Sequence, residues 1–383
     1  MKQLTSIELF SGAGGLALGL HDAGFRHKAL YEWNATAVET LLFNQKMGHP
    51  SLLDCKIIRS DVREVDFTKY RGIDLVAGGP PCQPFSMGGK AAGMNDSRDM
   101  FPQAIRAVAE AQPQAFIFEN VRGLLRPAFS NYVEYIRLQM EFPEFPTSNN
   151  VSWDQNLRRL QRHKEKIGSF SDGLRYRVHV HQANAADYGI PQQRHRVFFV
   201  GFRSDVTTDW SFPSSTHTDK PLFLKNGESN NLGKGNTRVD LLPWVTLNEA
   251  IRDLPTPTSR VVNKWHNHVF QQGAKTYPGH TGSPLDRPSK ALKAGAHGVP
   301  GGENMILYPD GSVRYLTVRE SARVQTFPDD YVFLGSWTEA MRQLGNAVPK
   351  DLAAIVGRSV AKALAGQAGN VRQKFGHETL QSS

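Results

Sequence analysis

Ser6-Ile7-Glu8-Leu9-Phe10-Ser11-Gly12-Ala13-Gly14-Gly15-Leu16-Ala17-Leu18-Gly19-Leu20 decides how the rest of the chain is read. An apolar run ends at Phe10, a glycine-rich turn follows, and Leu16, Leu20 and Ala23 recur at helical spacing. Strand, turn and helix in that order place free backbone amides and open space beside a ligand. Glycine permits the turn, and the start of a helix presents unpaired N–H groups. Gly12-x-Gly14-x-x-Ala17 fits the dinucleotide pattern, with the acidic Glu32 about 20 residues on to bind a ribose hydroxyl. Alone, the signal fits a tight turn that merely needs glycine nearly as well, and a nicotinamide enzyme as well as any other user of a nucleotide-like cofactor.

Outward from this turn, short apolar runs alternate with helical patterns, as in a parallel α/β sheet. Strands are predicted at Ser6 to Phe10, Ala29 to Trp33, Lys56 to Asp61, Ile73 to Ala77, Ala115 to Phe118, Val178 to Ala183 and Arg196 to Phe202. Polar and reactive groups gather after the carboxyl ends of these strands, where open α/β sheets bind ligands. Residues 141–172 form a polar segment, basic from Arg158 to Lys166. From about Arg203 to Asp286, Pro, Gly, Ser, Thr and His dominate with little periodicity, which predicts a second, loop-rich domain. Helical patterning returns at Thr317 to Thr326 and at Ala340 to Ala365, and the tail after Gly366 is expected to fray.

The 383 residues suffice for one large core or two domains. Hydrophobic residues make up 39% and charged residues 21%, an ordinary balance for a globular protein in water. There is no apolar run of transmembrane length, and Met1 to Phe10 lacks the regions of a signal peptide, so a cytoplasmic protein without membrane contact is expected. Lys and Arg outnumber Asp and Glu by 45 to 36, a formal net charge of +9 that suits a polyanionic partner without requiring one. Two cysteines, Cys55 and Cys82, exclude a disulfide scaffold.

Cys82 stands in Gly78-Gly79-Pro80-Pro81-Cys82-Gln83-Pro84-Phe85-Ser86. Prolines stiffen its immediate base, while Gly88, Gly89 and Gly93 loosen the chain beyond, a pattern that suits a nucleophile under a closing loop. Its thiol, ordinarily of pKa about 8.5, needs a nearby base or positive charge to ionise. Cys55, in contrast, is read as a small buried hydrophobe. Glu119-Asn120-Val121 ends an apolar strand: a cap or turn is the bland reading, and a carboxyl able to share a proton with a ring nitrogen is the sharper one. Gln192-Gln193-Arg194-His195-Arg196 opens another strand with charge suited to a phosphate or a base carbonyl, unless it is only a basic edge. His266 and His268 flank Asn267 without further ligands at metal spacing, so no metal is expected.

In this order the motifs resemble the cytosine-5 DNA methyltransferases, especially the bacterial restriction–modification enzymes. Phe10-Ser11-Gly12-Ala13-Gly14-Gly15, Glu32-Trp33 and Asp61-Val62 are similar to the cofactor motifs, Gly79-Pro80-Pro81-Cys82-Gln83 to the nucleophile motif and Glu119-Asn120-Val121 to the ENV motif. Gln192-x-Arg194-x-Arg196, the stretches Arg319 to Arg323 and Gln325 to Pro328, and Gln343 to Pro349 complete the set. The resemblance implies a Rossmann-like, mostly parallel α/β fold of the S-adenosylmethionine methyltransferase type with a smaller target-recognition domain. It places the catalytic and cofactor-binding domain at 1–202, target recognition and hinge at 203–326, and a C-terminal return at 327–383. It implies methylation of cytosine C5 in a short double-stranded DNA sequence, with Cys82 attacking C6 of a flipped base. Glu119, Arg194 and Arg196 would assist. Phe10, Gly12, Gly14, Gly15, Glu32, Trp33, Asp61, Val62, Pro80, Asn346, Ala347 and Val348 would hold S-adenosylmethionine, and Lys90 and Arg98 would clamp DNA phosphates. A monomer in the bacterial cytoplasm, with a restriction endonuclease acting on the same site, is the accompanying expectation.

Three other readings compete. A tRNA cytosine methyltransferase shares the fold and both central motifs, but the sizeable stretch between Arg196 and Arg319 favours duplex DNA. A nicotinamide-dependent dehydrogenase leaves Cys82 and Glu119 unexplained. An inactive DNA-binding protein sits poorly with an intact Cys82, Glu119, Arg194 and Arg196.

Overall fold

The structure, a computed structural model, describes residues 3–81, 99–147, 151–167, 173–206, 209–220, 241–260, 265–294 and 304–378. The chain divides into two compact units. The first comprises Met1–Ala183, His195–Phe212 and Ala353–Ser383; the second comprises Asn184–Arg194 and Pro213–Leu352.

The first unit is built on β1 (Leu4–Leu9), α1 (Gly15–Asp22), β2 (Phe25–Glu32), α2 (Ala35–Lys46), β3 (Lys56–Arg59), β4 (Leu75–Gly78), α3 (Phe101–Ala111) and β5 (Ala115–Val121). It continues with α4 (Ser130–Glu141), α5 (Trp153–Ile167) and β6 (Tyr176–Asn184); after β7 (Gln192–Gln193) comes its last strand, β8 (His195–Arg203). Seven strands form one sheet in the order β3-β2-β1-β4-β5-β8-β6. β1 pairs in parallel with both β2 and β4, and β4 with β5, whereas β8 runs antiparallel to β5. The first four crossovers therefore return through helices or short turns, which buries both faces of the central strands. The fully buried runs Leu75-Val76-Ala77 and Ala115-Phe116-Ile117-Phe118 are the consequence.

The sheet order reverses at β1, whose neighbours are β2 on one side and β4 on the other. Such a switch point opens a crevice beyond the carboxyl ends of the strands. Gly78 ends β4 so close to β1 that a Cβ there would stand 2.4 Å from the Leu9 carbonyl oxygen, which only glycine tolerates. One expectation needs correction here: the chain does not fray after Gly366, because α9 (Lys350–Glu378) continues past it.

The second unit holds β7, β9 (His217–Thr218), β10 (Leu242–Pro243), α6 (Leu247–Ile251), β11 (Ser283–Pro284), β12 (Ser289–Lys290), β13 (Met305–Leu307), β14 (Val313–Tyr315), α7 (Val318–Val324) and α8 (Trp337–Asn346). Short elements need good ends. Thr246 and Thr317 each form a reciprocal capping box with the glutamate three residues on, Glu249 and Glu320. The helical pattern read as continuous from Ala340 to Ala365 is two helices: Ala347 turns extended and Pro349 follows, so α8 stops and α9 starts afresh. Among the described residues, no helix is long and apolar enough to cross a membrane.

Candidate active site

The turn after β1 is shaped by unusual backbone. Phe10, Gly12 and Gly14 all have positive φ, at 57°, 53° and 91°. Glycine adopts this freely; Phe10 does so at a cost that marks a constrained position. The fold of the turn brings the Gly12 amide 2.8 Å from Glu32 Oε2, while Oε1 accepts from the Asn34 amide at 2.7 Å. Two N–H donors thus orient the carboxylate at the end of β2 and leave further lone pairs on both oxygens. Space is open where a Gly12 side chain would be. Trp33, next in sequence, is 65% exposed, a large aromatic surface open to solvent.

After β3, Asp61 caps a one-turn helix at Val62–Glu64 and accepts from the Arg63 amide at 3.0 Å. The Arg63 side chain also grips its carboxylate, and this hydrogen-bonded arginine holds the acid below the usual carboxylate range. The turn is fastened from α3. Arg106 donates to the carbonyls of Val62 at 2.7 Å and Val65 at 2.9 Å, and pairs with Glu110 at 2.8 Å. The sequence reading missed Arg106, although Gln103, Arg106 and Glu110 make a polar stripe on an otherwise apolar helix.

Beyond β4 and β5 lie the acid and its partner. Glu119 is 7% exposed at the end of β5, and its Oε1 stands 2.5 Å from Nε of Arg196 on the neighbouring β8. The contact is a close ion pair, and among the described residues Oε1 has no directed hydrogen-bond partner. Burial draws the Arg196 guanidinium below its ordinary pKa while the Glu119 carboxylate draws it back; an arginine remains charged throughout. Arg196 also donates to the His195 carbonyl at 2.8 Å. On the other side, the backbone of Gly79 leaves Glu119 Oε2 only 3.4 Å from where a Cβ would project.

Asn120 turns the other way from Glu119, as strand neighbours do. Its Nδ2 donates to the Pro80 carbonyl at 2.9 Å, a buried bond that ties β5 to the chain just before Cys82. The Pro81 carbonyl accepts from the Met100 amide at 3.0 Å, so the two sides of the intervening segment meet. Cys82, Lys90 and Arg98 themselves lie outside the described residues. Cys55 does not: it is 8% exposed, its Sγ donates to the Leu52 carbonyl at 3.3 Å, and burial pushes its thiol up to about 11. Such a thiol is inert near neutral pH.

Arg194, Asn346, Ala347 and Val348 belong to the second unit. Arg194 is wholly buried and donates to the carbonyls of Leu292 at 3.0 Å, Gly345 at 2.7 Å and Ala347 at 2.9 Å. Gln325 Nε2 also donates to the Leu344 carbonyl, and Gln192 Nε2 donates to Gln325 Oε1 at 3.1 Å. This network fixes the end of α8, where Asn346 is exposed and Ala347 and Val348 are buried. His268 is likewise structural, its ring nitrogens 2.9 Å from the Thr317 hydroxyl and 2.7 Å from the Pro255 carbonyl. Among the described residues, no group of three or more His, Cys, Asp or Glu could hold a metal ion.

The sheet is mostly parallel, with a carboxylate held by two amides at the end of β2 and a buried acid–arginine pair across β5 and β8, an arrangement that fits an α/β enzyme with a nucleotide-like cofactor. The profile of the C-5 cytosine-specific DNA methylases matches residues 4–154 and 149–362. Type II methyltransferase M.NgoMIV of Neisseria gonorrhoeae is 35% identical over 369 residues, covering 94% of this chain and 98% of that one. Type II methyltransferase M.Eco47II of Escherichia coli is 32% identical, covering 94% and 79%. Among solved structures, a prophage-encoded DNA modification methyltransferase of E. coli superposes with a TM-score of 0.60 at 22% identity, covering 94% and 99%. The Dnmt2 methyltransferase of S. pombe does so with 0.55 at 18%, covering 96% and 99%; these two likenesses concern the fold. The chain belongs to the C-5 cytosine-specific DNA methylase family. Its reaction is transfer of a methyl group from S-adenosylmethionine to C5 of cytosine in DNA.

Proposed function

We propose that this chain is the sequence-specific modification enzyme of a restriction–modification system. It acts as a monomer on double-stranded DNA in the bacterial cytoplasm, beside an endonuclease that cuts the same unmodified site. The names of the relatives support the pairing with restriction. Target recognition is assigned to the loop-rich stretch within 203–326.

The donor set after β1, β2 and β3 fits S-adenosylmethionine on chemical grounds. Glu32 offers oriented lone pairs to a ribose diol. Asp61 and the Val62 amide offer an acceptor and a donor for an adenine edge, and Trp33 and Phe10 offer aromatic faces. Gly12, Gly14, Gly15 and Pro80 would complete the site, and the assignment of Asn346, Ala347 and Val348 to it rests on the resemblance of their motif. The bound cofactor supplies an electrophilic methyl group on a positively charged sulfur.

Cytosine C5 is a weak nucleophile and unreachable in a stacked duplex, so the base must first leave the helix. The Cys82 thiolate then forms a bond to C6, and the electrons of the C5–C6 double bond shift toward N3. Glu119 gives a proton to N3, which keeps the ring neutral and makes C5 electron-rich. Arg196 holds the base carbonyl and steadies Glu119. The electron-rich C5 would accept the methyl group that the cofactor supplies when held by Glu32 and Asp61. Return of the N3 proton to Glu119 and loss of the C5 proton to water restore the aromatic ring and expel Cys82 as thiolate. Lys90 and Arg98 clamp DNA phosphates, and Arg194 positions the end of α8.

The observation that carries this reading is the Glu119–Arg196 pair at 2.5 Å, set against Gly79 three residues before Cys82. The test is a duplex bearing 5-fluorocytosine, which blocks loss of the C5 substituent. With cofactor present, a covalent complex should form and digest to a peptide modified at Cys82. Cys82→Ala should form none while still binding DNA. Methyl label appearing in tRNA rather than in duplex DNA, or a complex on another residue, would overturn it.

A further inference from the structure

The basic, polar segment within 141–172 belongs to none of the motifs, yet its helix α5 reaches the root of the segment that carries Cys82. α5 packs on α4 through Leu157 and Leu160 against Leu138 and Phe142. At its first residue, Trp153 meets Tyr132 edge-on, with ring centroids 5.9 Å apart and planes at 89°, and lies 6.2 Å from Tyr135. Tyr132, only 3% exposed, donates its hydroxyl to Asp99 Oδ2. The other oxygen of Asp99 accepts from the Phe101 amide at 3.1 Å. Met100, between them, donates its amide to the Pro81 carbonyl. Pro81 is bonded to Cys82.

We infer that Trp153 and Tyr132 are positioning residues for methyl transfer. α5 packs the Tyr132 ring, the Tyr132 hydroxyl fixes Asp99, and Asp99 is bonded to Met100, whose amide holds the Pro81 carbonyl. This rests on the reading of Cys82 as the nucleophile. A nucleophile one bond from Pro81 is sensitive to such anchoring, since displacement by about 1 Å can slow a reaction roughly 10²-fold. The anchor makes no hydrogen bond to Glu32 or Asp61, and the carbonyl of Pro80, the neighbouring residue assigned to the cofactor, is held separately by Asn120, so the anchor acts on the reacting thiol more than on cofactor affinity.

The experiment is single-turnover methyl transfer with saturating cofactor, alongside calorimetric binding of S-adenosylhomocysteine and thermal denaturation. Tyr132→Phe, which keeps the ring and removes only the hydroxyl, should slow transfer about tenfold, the scale of one hydrogen bond to a charged group. S-adenosylhomocysteine affinity should not change. In an Asp99→Ala background, Tyr132→Phe should have no further effect, because both substitutions remove the same contact. Trp153→Ala should also slow transfer, and Trp153→Phe should restore most of the rate. A parental rate in Tyr132→Phe, multiplying effects in the double variant, or a parallel loss of cofactor affinity each overturns the assignment. Residual transfer by Cys82→Ala in the same assay instead removes the nucleophile reading, so the two failures are told apart.

Discussion

At the scale of single residues, reactivity follows from burial and partners. Glu119 and Cys55 are both nearly buried, yet their chemistry differs. Glu119 faces a permanent cation at 2.5 Å and has one oxygen without a hydrogen-bond partner, whereas Cys55 sits in the core with its proton held by burial. In the proposed role this carboxyl shares a proton with a ring nitrogen. Glu119→Gln removes the transferable proton while keeping the shape. The proposed role therefore predicts a fall of roughly 10²–10⁴ in the single-turnover rate. Cofactor affinity should be unchanged, because Glu32 and Asp61 are left intact; a parental rate would remove Glu119 from the chemistry.

Elements are held by contacts that sequence neighbours do not make. α3 fastens the Val62 turn through Arg106, β5 fastens Pro80 through Asn120, and in the second unit the end of α8 is fastened by Arg194 and Gln325. α8 also passes so near residues 293–294 that a Cβ on Gly345 would stand 2.4 Å from the Ala294 nitrogen and 2.5 Å from the Lys293 carbonyl carbon. In an isolated helix Gly→Ala is stabilising by up to about 1 kcal/mol. Here the neighbour is backbone and cannot swing away, so Gly345→Ala should destabilise instead, by about 1–3 kcal/mol as for other overpacked sites. A lower melting temperature checks the sign, and a higher one would mean that the close approach is absent.

For the molecule as a whole, one contribution to the loss of stability in acid lies in the sheet of the first unit. His27 on β2 is 2% exposed, with Nε2 2.8 Å from the Ala17 carbonyl and Nδ1 2.9 Å from the Ser6 hydroxyl. The carbonyl can only accept, so Nε2 carries the proton and Nδ1 accepts from Ser6, a neutral ring. Burial lowers the His27 pKa to about 4. The unfolded chain binds a proton near pH 6.5 while the folded one does not, so stability is whole above that pH. It declines as pH falls from about 6.5 to about 4, by on the order of 3 kcal/mol. Denaturant melts across this range should show the decline, and His27→Gln should flatten it.

Much was legible before any coordinates. The glycine turn, Glu32, Asp61, Cys82 and Glu119 sit at the ends of apolar runs, because a parallel sheet buries its strands and leaves polar groups only where they end. The positions of β1, β4 and β5 were readable from the same periodicity. That Asn120 holds Pro80, that Arg106 holds Val62, and that Trp153 reaches Asp99 through Tyr132 were not. Each joins residues far apart in the chain, and hydrophobic periodicity records only which face of an element is buried, not what lies across from it. The sequence by itself determined the fold class and the family and nominated the candidate reactive side chains, since these depend on local pattern and residue chemistry. Tertiary structure alone decided which arginine meets the acid and which fastens carbonyls, because Arg194 and Arg196 are alike in type and differ only in what folding places within hydrogen-bonding reach.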